Sequence, residues 1–344
     1  LLPLVGMQAM SMRPVAPSAM GSPSVPERHS EALTDTMCPR SLNSGPKKLG
    51  TTALIKSPNS TGLCSGEYMP WSGTAELPHD QRTDVSKSVC FDSDFLDEPL
   101  ELLGTSFLHL KLSSDKECGL ICVRLCDLSP DGSSTLISYG ILNLRLRNGR
   151  ECIADVKAND LINVTVRLND TGWRLKKGHR LRLALSTQMW PMAWPISEVA
   201  EITVYMASSK LEIPVRTPTN KEKDFTQLEL AEAADAPPHI ILRDPSGSRI
   251  ITSDIKTGDI RYEIKSDGRE MKFEKSGLIY GSTNEQLYII KDDDPCSAQA
   301  EYRASFSFSR SEWKTSTESE LIVTCDKEHF FLHGRTSAYE DGTQ

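Results

Sequence analysis

The chain is 344 residues long and carries a formal net charge of -8. That length is enough for two ordinary domains, each able to bury a core, while an acidic balance with both signs interspersed repels phosphate backbones, so nucleic acid is not an expected partner. No apolar run approaches the roughly 20 residues that cross a bilayer, and residues 1–10 lack a charged segment ahead of their apolar letters, so neither a membrane span nor a signal peptide is expected.

From residue 1 to about residue 60 there is no Phe, Trp or Tyr, while Pro and Ser recur every few positions. Such composition cannot bury enough apolar surface to offset chain ordering, so residues 1–60 are expected to be disordered. The first residue is Leu1 rather than Met, which suggests a clipped or incomplete product.

From residue 61 short alternating apolar runs bounded by turn residues read as strands. The clearest are 106–112, 120–127, 136–146, 162–168, 180–186 and 201–206. In Ile121-Cys-Val-Arg-Leu-Cys-Asp127 the odd positions form the expected core face, as do Leu181, Leu183 and Leu185 in the run from Arg180 to Ser186. Pro130-Asp131-Gly132, Asn148-Gly149 and Lys177-Gly178 supply turns between them. Strands at this spacing without helical patterns between them predict a mainly β chain, an antiparallel jelly-roll sandwich over residues 61–216.

A charged and Ala/Glu-rich stretch follows, ending at Pro237-Pro238, and reads as a linker or short helix over residues 217–238. Beyond it, runs at 240–243, 249–251, 260–265, 272–280, 286–290, 302–309, 321–325 and 330–338 alternate again, predicting a second antiparallel β meander over 239–344.

The nine cysteines are an odd number with no C-x-x-C spacing, which favours a reducing compartment such as the cytoplasm. Asn59-Ser60-Thr61, Asn163-Val164-Thr165 and Asn169-Asp170-Thr171 are glycan acceptors only in a secreted chain.

A serine hydrolase of the α/β type needs a G-x-S-x-G elbow that lifts the serine oxygen beside backbone donors, and no such pattern occurs. Gly62-Leu-Cys-Ser-Gly66 has the wrong spacing and loop surroundings. His329 and His333 share a strand face but lack a third ligand for zinc. Cys118, Cys122 and Cys126 would make a metal face on a helix; on the expected strand, Cys122 and Cys126 are small buried residues. Asp127-x-Ser129-x-Asp131-Gly132 imitates the opening of a calcium loop, yet its twelfth position is Ser138 and strands flank it, so a hairpin turn is the better reading. Asp292, Asp293 and Asp294 read as a solvated turn before Pro295. Trp190-Pro191 and Trp194-Pro195 could present indoles to sugar rings, but prolines at strand ends with indoles filling the sandwich edge is the favoured reading.

Several ordered motifs carry a family resemblance: Gly62 to Gly66, Leu77-Pro-His-Asp-Gln-Arg-Thr-Asp84, Phe91-Asp92, Pro99 to Gly104, Arg124 to Gly132, Gly140 to Leu144, Gly178 to Leu183 and Trp190-Pro191 to Trp194-Pro195. Together they resemble the C-terminal jelly-roll domain (galactose-binding-like) of the X-prolyl dipeptidyl peptidase and cocaine-esterase-like (CocE/NonD) α/β-hydrolases. Asp293 to Ala298, Trp313 and Ala338 to Asp341 look like the tail of longer members, so the resemblance runs from about residue 62 to 341.

The resemblance implies dipeptidyl-peptidase or ester hydrolysis for the family, with the Ser, Asp and His of the triad in an α/β-hydrolase domain ahead of the jelly roll. None of these can be placed on this chain, so no catalytic, metal or cofactor residue is expected. Losing nucleophile and base removes roughly six orders of magnitude of turnover, so the chain is expected to be inactive alone. The implied role is to pack on the hydrolase domain, help wall its cleft, or self-associate. Trp190, Trp194, Asp80 and Arg82 are the candidate surface or interface residues. The alternative is a stand-alone jelly-roll module that binds a glycan or a protein.

Overall fold

The computed structural model describes residues 38–39, 52–70, 76–216, 230 and 232–344. The chain divides into two compact units, Leu1–Ser57 with Thr61–Ala193 and Ala200–Thr217, and Pro58–Ser60 with Trp194–Val199 and Pro218–Gln344.

The first unit holds β1 (Cys38–Pro39), β2 (Thr52–Ile55), α1 (Arg82–Val85), β3 (Val89–Asp92), β4 (Leu100–Gly104), β5 (Phe107–Ser114), β6 (Leu120–Leu128), β7 (Ser134–Asn143), β8 (Ile162–Arg167), β9 (Thr171–Leu175), β10 (Arg180–Ser186), β11 (Ile202–Tyr205) and β12 (Lys210–Glu212). One sheet runs β1-β3-β10-β6-β7 and the other β12-β5-β11-β2, with β8 also on β5; β4 and β9 form a separate pair. All the pairings are antiparallel. The chain changes sheet from β5 to β6, β7 to β8 and β10 to β11, which makes a sandwich of the jelly-roll kind.

Its core is the pair of inner faces that strand alternation dictates. Phe91, Ile121, Val123, Leu125, Leu181, Leu183 and Leu185 of the first sheet meet Ile55, Leu108, Leu110, Leu112, Val164, Val166, Ile202 and Val204 of the second. Each such side chain contributes about 1.5–3 kcal/mol when fully buried. Gly132, Gly149 and Gly178 all have positive φ, the conformation their turns need and side chains avoid.

The expectation that residues 1–60 are disordered does not hold to its end. β2 pairs with β11 from Thr52 to Ile55, and Ser57, Asn59 and Ser60 are buried. A four-residue run has too little pattern to be read alone; its strand character comes from the neighbouring strand's unpaired edge. Residues 1–37 and 40–51 lie outside the described residues. So do 217–229 and 231 of the expected linker, while 232–238 carry no regular structure.

The second unit holds β13 (His239–Arg243), β14 (Ser246–Ser253), β15 (Asp259–Phe273), β16 (Ile279–Lys291), β17 (Asp294–Arg310), β18 (Trp313–Cys325) and β19 (Phe330–Glu340). They form one antiparallel meander in the order β13-β15-β16-β17-β18-β19, with β14 also on β15. The run read at 272–280 is not one strand: it spans the end of β15, a turn in which Gly277 has φ of 67°, and the start of β16. Apolar letters on both sides of a tight hairpin are indistinguishable from a continuous run when the pairing is unknown. Asp292 and Asp293 form the two-residue turn between Lys291 and Asp294, which pair across the hairpin.

Candidate functional site

Side chains of the sequence motifs meet at one buried polar junction in the first unit, with Asp84 at its centre. Asp84 sits in α1 with no exposure. Its Oδ1 accepts the Gly62 N–H at 2.9 Å and its Oδ2 the Cys64 N–H at 2.9 Å. The Arg124 guanidinium reaches across from β6, with Nη1 3.6 Å from Asp84 Oδ2 and both side chains fully buried. Arg124 Nη2 donates to Ser88 Oγ at 2.7 Å, and Ser88 Oγ donates to the Asp84 carbonyl at 2.8 Å. Gln81 closes the other side, its Nε2 donating to the carbonyls of Cys64 at 2.6 Å and His79 at 2.8 Å.

Gly62 explains why the loop must be glycine. Its φ is +115°, and a Cβ there would lie 2.7 Å from the backbone of Met189, so both conformation and space exclude a side chain. The Thr61 carbonyl accepts the Trp190 N–H at 2.7 Å, tying this loop to the Trp-Pro segment. Trp190 is 2% exposed and follows into Pro191 through a cis peptide bond. Gly62, Gln81, Asp84, Arg124 and Trp190, far apart in sequence, thus pack together.

Sequence reading missed the Asp84–Arg124 pair. Its signal was Arg124 itself, a charge at an even position amid the apolar run from Leu120 to Cys126. Ile121, Val123 and Leu125 face the sandwich core as expected, but Asp127, beyond a register shift after Leu125, does not, and all nine residues of β6 are buried. The side carrying Cys122, Arg124 and Cys126 is covered as well, with the guanidinium of Arg124 against Asp84 and Ser88. A charge is tolerated there only because it is paired and hydrogen-bonded.

A second polar set joins β6, β9 and the turn that leads into β10. Asp127 Oδ1 lies 2.7 Å from His179 Nδ1, and Asp127 Oδ2 accepts the Trp173 Nε1–H at 3.1 Å. Its carboxylate is therefore spent within the fold. Asp131 accepts the N–H and hydroxyl of Ser133 at 2.9 and 2.7 Å, the geometry of a side-chain-capped turn. Both contacts fit the hairpin reading of Asp127 to Gly132. Beside this set, Asp92 takes a bidentate fork from Arg182 at 2.6 and 2.7 Å.

The four candidate surface residues do not converge. Asp80 and Arg82 pair with each other at 2.9 Å, with Arg82 64% exposed on its side chain. Partial burial pushes the Asp80 carboxyl up, but hydrogen bonds from the Arg82 backbone and guanidinium and from Ser134 outweigh it and hold the group below the usual carboxylate range. Trp190 is interior, so it offers no face to a sugar. Trp194 belongs to the second unit, where its Nε1 donates to Cys325 Sγ at 3.2 Å and its ring meets Phe330 edge-on at 5.5 Å.

Among the described residues, a Thr, His and Glu cluster lies on the second sheet. His109 has Nδ1 3.0 Å from Thr165 Oγ1 and Nε2 3.5 Å from Glu212 Oε2. Thr165 is exposed in the middle of β8, not on a strained turn, so its hydroxyl is not held above the sheet beside turn or helix N–H donors. Among the described residues no three His, Cys, Asp or Glu side chains gather as a metal site. His329 pairs with Asp326 at 3.5 Å, and His329 and His333 are both exposed. Asn59 is buried with its Nδ2 donating to the Lys291 carbonyl at 2.9 Å, so the folded chain offers no glycan acceptor there. Asn163 and Asn169 are exposed.

Three buried or half-buried thiols of the sandwich are held protonated. Burial pushes Cys90 up to about 11 and Cys122 and Cys126 up to about 12. Alkylation by iodoacetamide at mildly alkaline pH followed by mass mapping is therefore expected to label exposed Cys152 first, and Cys122 and Cys126 only in denaturant. Equal labelling of all three in the native protein would contradict this packing.

The model of the X-Pro dipeptidyl-peptidase C-terminal non-catalytic domain matches residues 19–240, well over half of the chain. The chain belongs to this family. The cocaine esterase of Rhodococcus sp. (strain MB1 Bresler) is 27% identical over 116 residues, covering 33% of this chain and 20% of that protein. Among solved structures, an α-amino acid ester hydrolase is 19% identical with a TM-score of 0.43, over 48% of this chain and 33% of its own. An aminopeptidase from the marine sediment archaeon Thaumarchaeota archaeon is 15% identical with a TM-score of 0.42, over 51% of this chain and 34% of its own. This chain therefore spans about a fifth to a third of the relatives it matches. That C-terminal domain is described as non-catalytic. No helix among the described residues is long and apolar enough to cross a membrane.

Proposed function

We propose that the chain is a non-catalytic β portion of a serine hydrolase, that it packs on an α/β-hydrolase domain and helps wall that domain's substrate cleft, and that it has no hydrolytic activity by itself. The observation that carries this reading is the internal use of the motif side chains. Asp84, Arg124, Asp127, His179 and Trp190 are committed to each other, to backbone groups or to the core. Groups so committed brace a scaffold; none stands free to attack a carbonyl or to relay a proton.

The full chain, incubated with a fluorophosphonate probe and assayed with p-nitrophenyl acetate and an X-Pro anilide, is expected to show no labelling and no turnover above buffer. Labelling at Thr165 or any other hydroxyl, with turnover lost in the corresponding Ala variant, would refute the proposal.

A further inference from the structure

Two thiols come together at one end of the second unit's sheet. Cys296 lies near the start of β17 and Cys325 at the end of β18, the strand beside it. Cys296 sits in an irregularity of the ladder: between Asp294 and Gln299 the register of β17 against β16 shifts, and a bulge of this kind re-aims the side chains it carries. The bulge is held in place. The Cys296 N–H donates to Asp294 Oδ1 at 2.9 Å, and Ser297 Oγ accepts the Lys291 N–H at 2.8 Å. Cys325 Sγ lies against it, 3.9 Å from the Cys296 carbonyl oxygen and 4.0 Å from that of Pro295.

The segment Trp194–Val199, which belongs to the same unit, touches both thiols. Trp194 Nε1 donates to Cys325 Sγ at 3.2 Å, and Cys296 Sγ lies 3.7 Å from the Ser197 carbonyl oxygen. Phe330 meets the Trp194 ring edge-on at 5.5 Å. Both sulfurs are thus half-buried beside aromatic rings, with a hydrogen-bond donor already aimed at one of them. The charges around them call for a cation. Burial holds the Cys296 thiol above its usual range, and the Cys325 thiol and Asp294 push it further the same way. Two bare thiolates beside a carboxylate repel one another, and a cation bound between them removes that repulsion.

We propose that Cys296 and Cys325 form a two-sulfur site for a soft, thiophilic monovalent cation with the chemistry of copper(I). Among the described residues no third His, Cys, Asp or Glu gathers with them, which leaves zinc short of the four ligands it takes. Copper(I) is selected by soft thiolates and is satisfied by two of them in line. Binding replaces two S–H bonds with two sulfur–metal bonds and releases two protons, with no change of oxidation state. The Trp194 N–H stabilises charge on the Cys325 sulfur, while its ring and that of Phe330 limit the access of water to the metal. The proposal does not rest on the hydrolase partner put forward above.

The reduced full chain, titrated under argon with copper(I) held by bathocuproine disulfonate, is expected to withdraw one equivalent of the metal. Cys296→Ser and Cys325→Ser should each weaken the withdrawal at least about tenfold, because a serine hydroxyl is a hard ligand where the ion needs a soft one. Cys152→Ser, which removes an exposed thiol, should leave it unchanged. Trp194→Phe keeps both sulfurs and should lower the affinity by a smaller factor with the stoichiometry intact. A wild-type chain that withdraws no copper(I) overturns the proposal, and this result needs no variant to fold. Withdrawal that survives both cysteine substitutions overturns it too, since the metal would then sit on other thiols. Either failure leaves the hydrolase-partner reading, which is tested by turnover and probe labelling, untouched.

Discussion

Asp84→Ala is expected to destabilise the first unit by about 3–5 kcal/mol, the usual cost of removing one partner from a buried ion pair. The loss has two sources. Arg124 would remain fully buried with no carboxylate opposite, although its Nε and Nη1 already make no hydrogen bond. The Gly62 and Cys64 N–H groups would lose the acceptors they meet at 2.9 Å. Urea unfolding followed by circular dichroism measures the effect as a fall in midpoint. The companion double variant Asp84→Leu with Arg124→Met should recover much of the loss, because a well-packed apolar pair often replaces a buried ion pair at little cost. Arg82→Ala, two residues away on the exposed side of α1, should change stability by no more than about 0.5 kcal/mol. If Asp84→Ala costs no more than Arg82→Ala, the junction is not what holds the loop at Gly62 to the sheet.

Trp190→Ala should cost about 3–5 kcal/mol as well, by a different mechanism: deletion of a large apolar side chain from a packed interior. Trp190 is the largest of the deeply buried side chains in the described residues, with 2% of its surface exposed. Its backbone is fixed by the Thr61 carbonyl and pressed against Gly62, so the surroundings cannot readily collapse into the space left. Trp194, half-buried, should be less costly to truncate. The same pair of variants decides the sugar-binding alternative. A Trp190→Ala protein that keeps full stability and loses binding on a glycan array would show the indole to be a platform rather than a core residue.

The strand reading succeeded where alternation ran long and one face was plainly apolar. Arg180–Ser186 was legible to the residue, and β6 nearly so, because Leu181, Leu183, Leu185, Ile121, Val123 and Leu125 repeat with the period of a strand. It failed where the pattern was short or crossed a hairpin, as at Thr52–Ile55 and at 272–280. Period-two alternation also says nothing about what lies over the second face. Arg124 stands on the even face, which alternation leaves unassigned; it is interior because Asp84 and Ser88 lie against it.

By themselves, the amino acids determined the class of this protein: mainly β, in two successive antiparallel regions, with no hydrolase elbow. The strand pattern follows from local periodicity and turn residues, which act over a few residues and survive without knowledge of contacts. Only the tertiary structure decided what the motifs are for. Asp84 and Arg124 are 40 positions apart and Gly62 and Trp190 farther still, and pairing at such separations is set by sheet order and register, which no local pattern encodes. The same holds for the meander, whose strand order exists only once its strands are laid side by side.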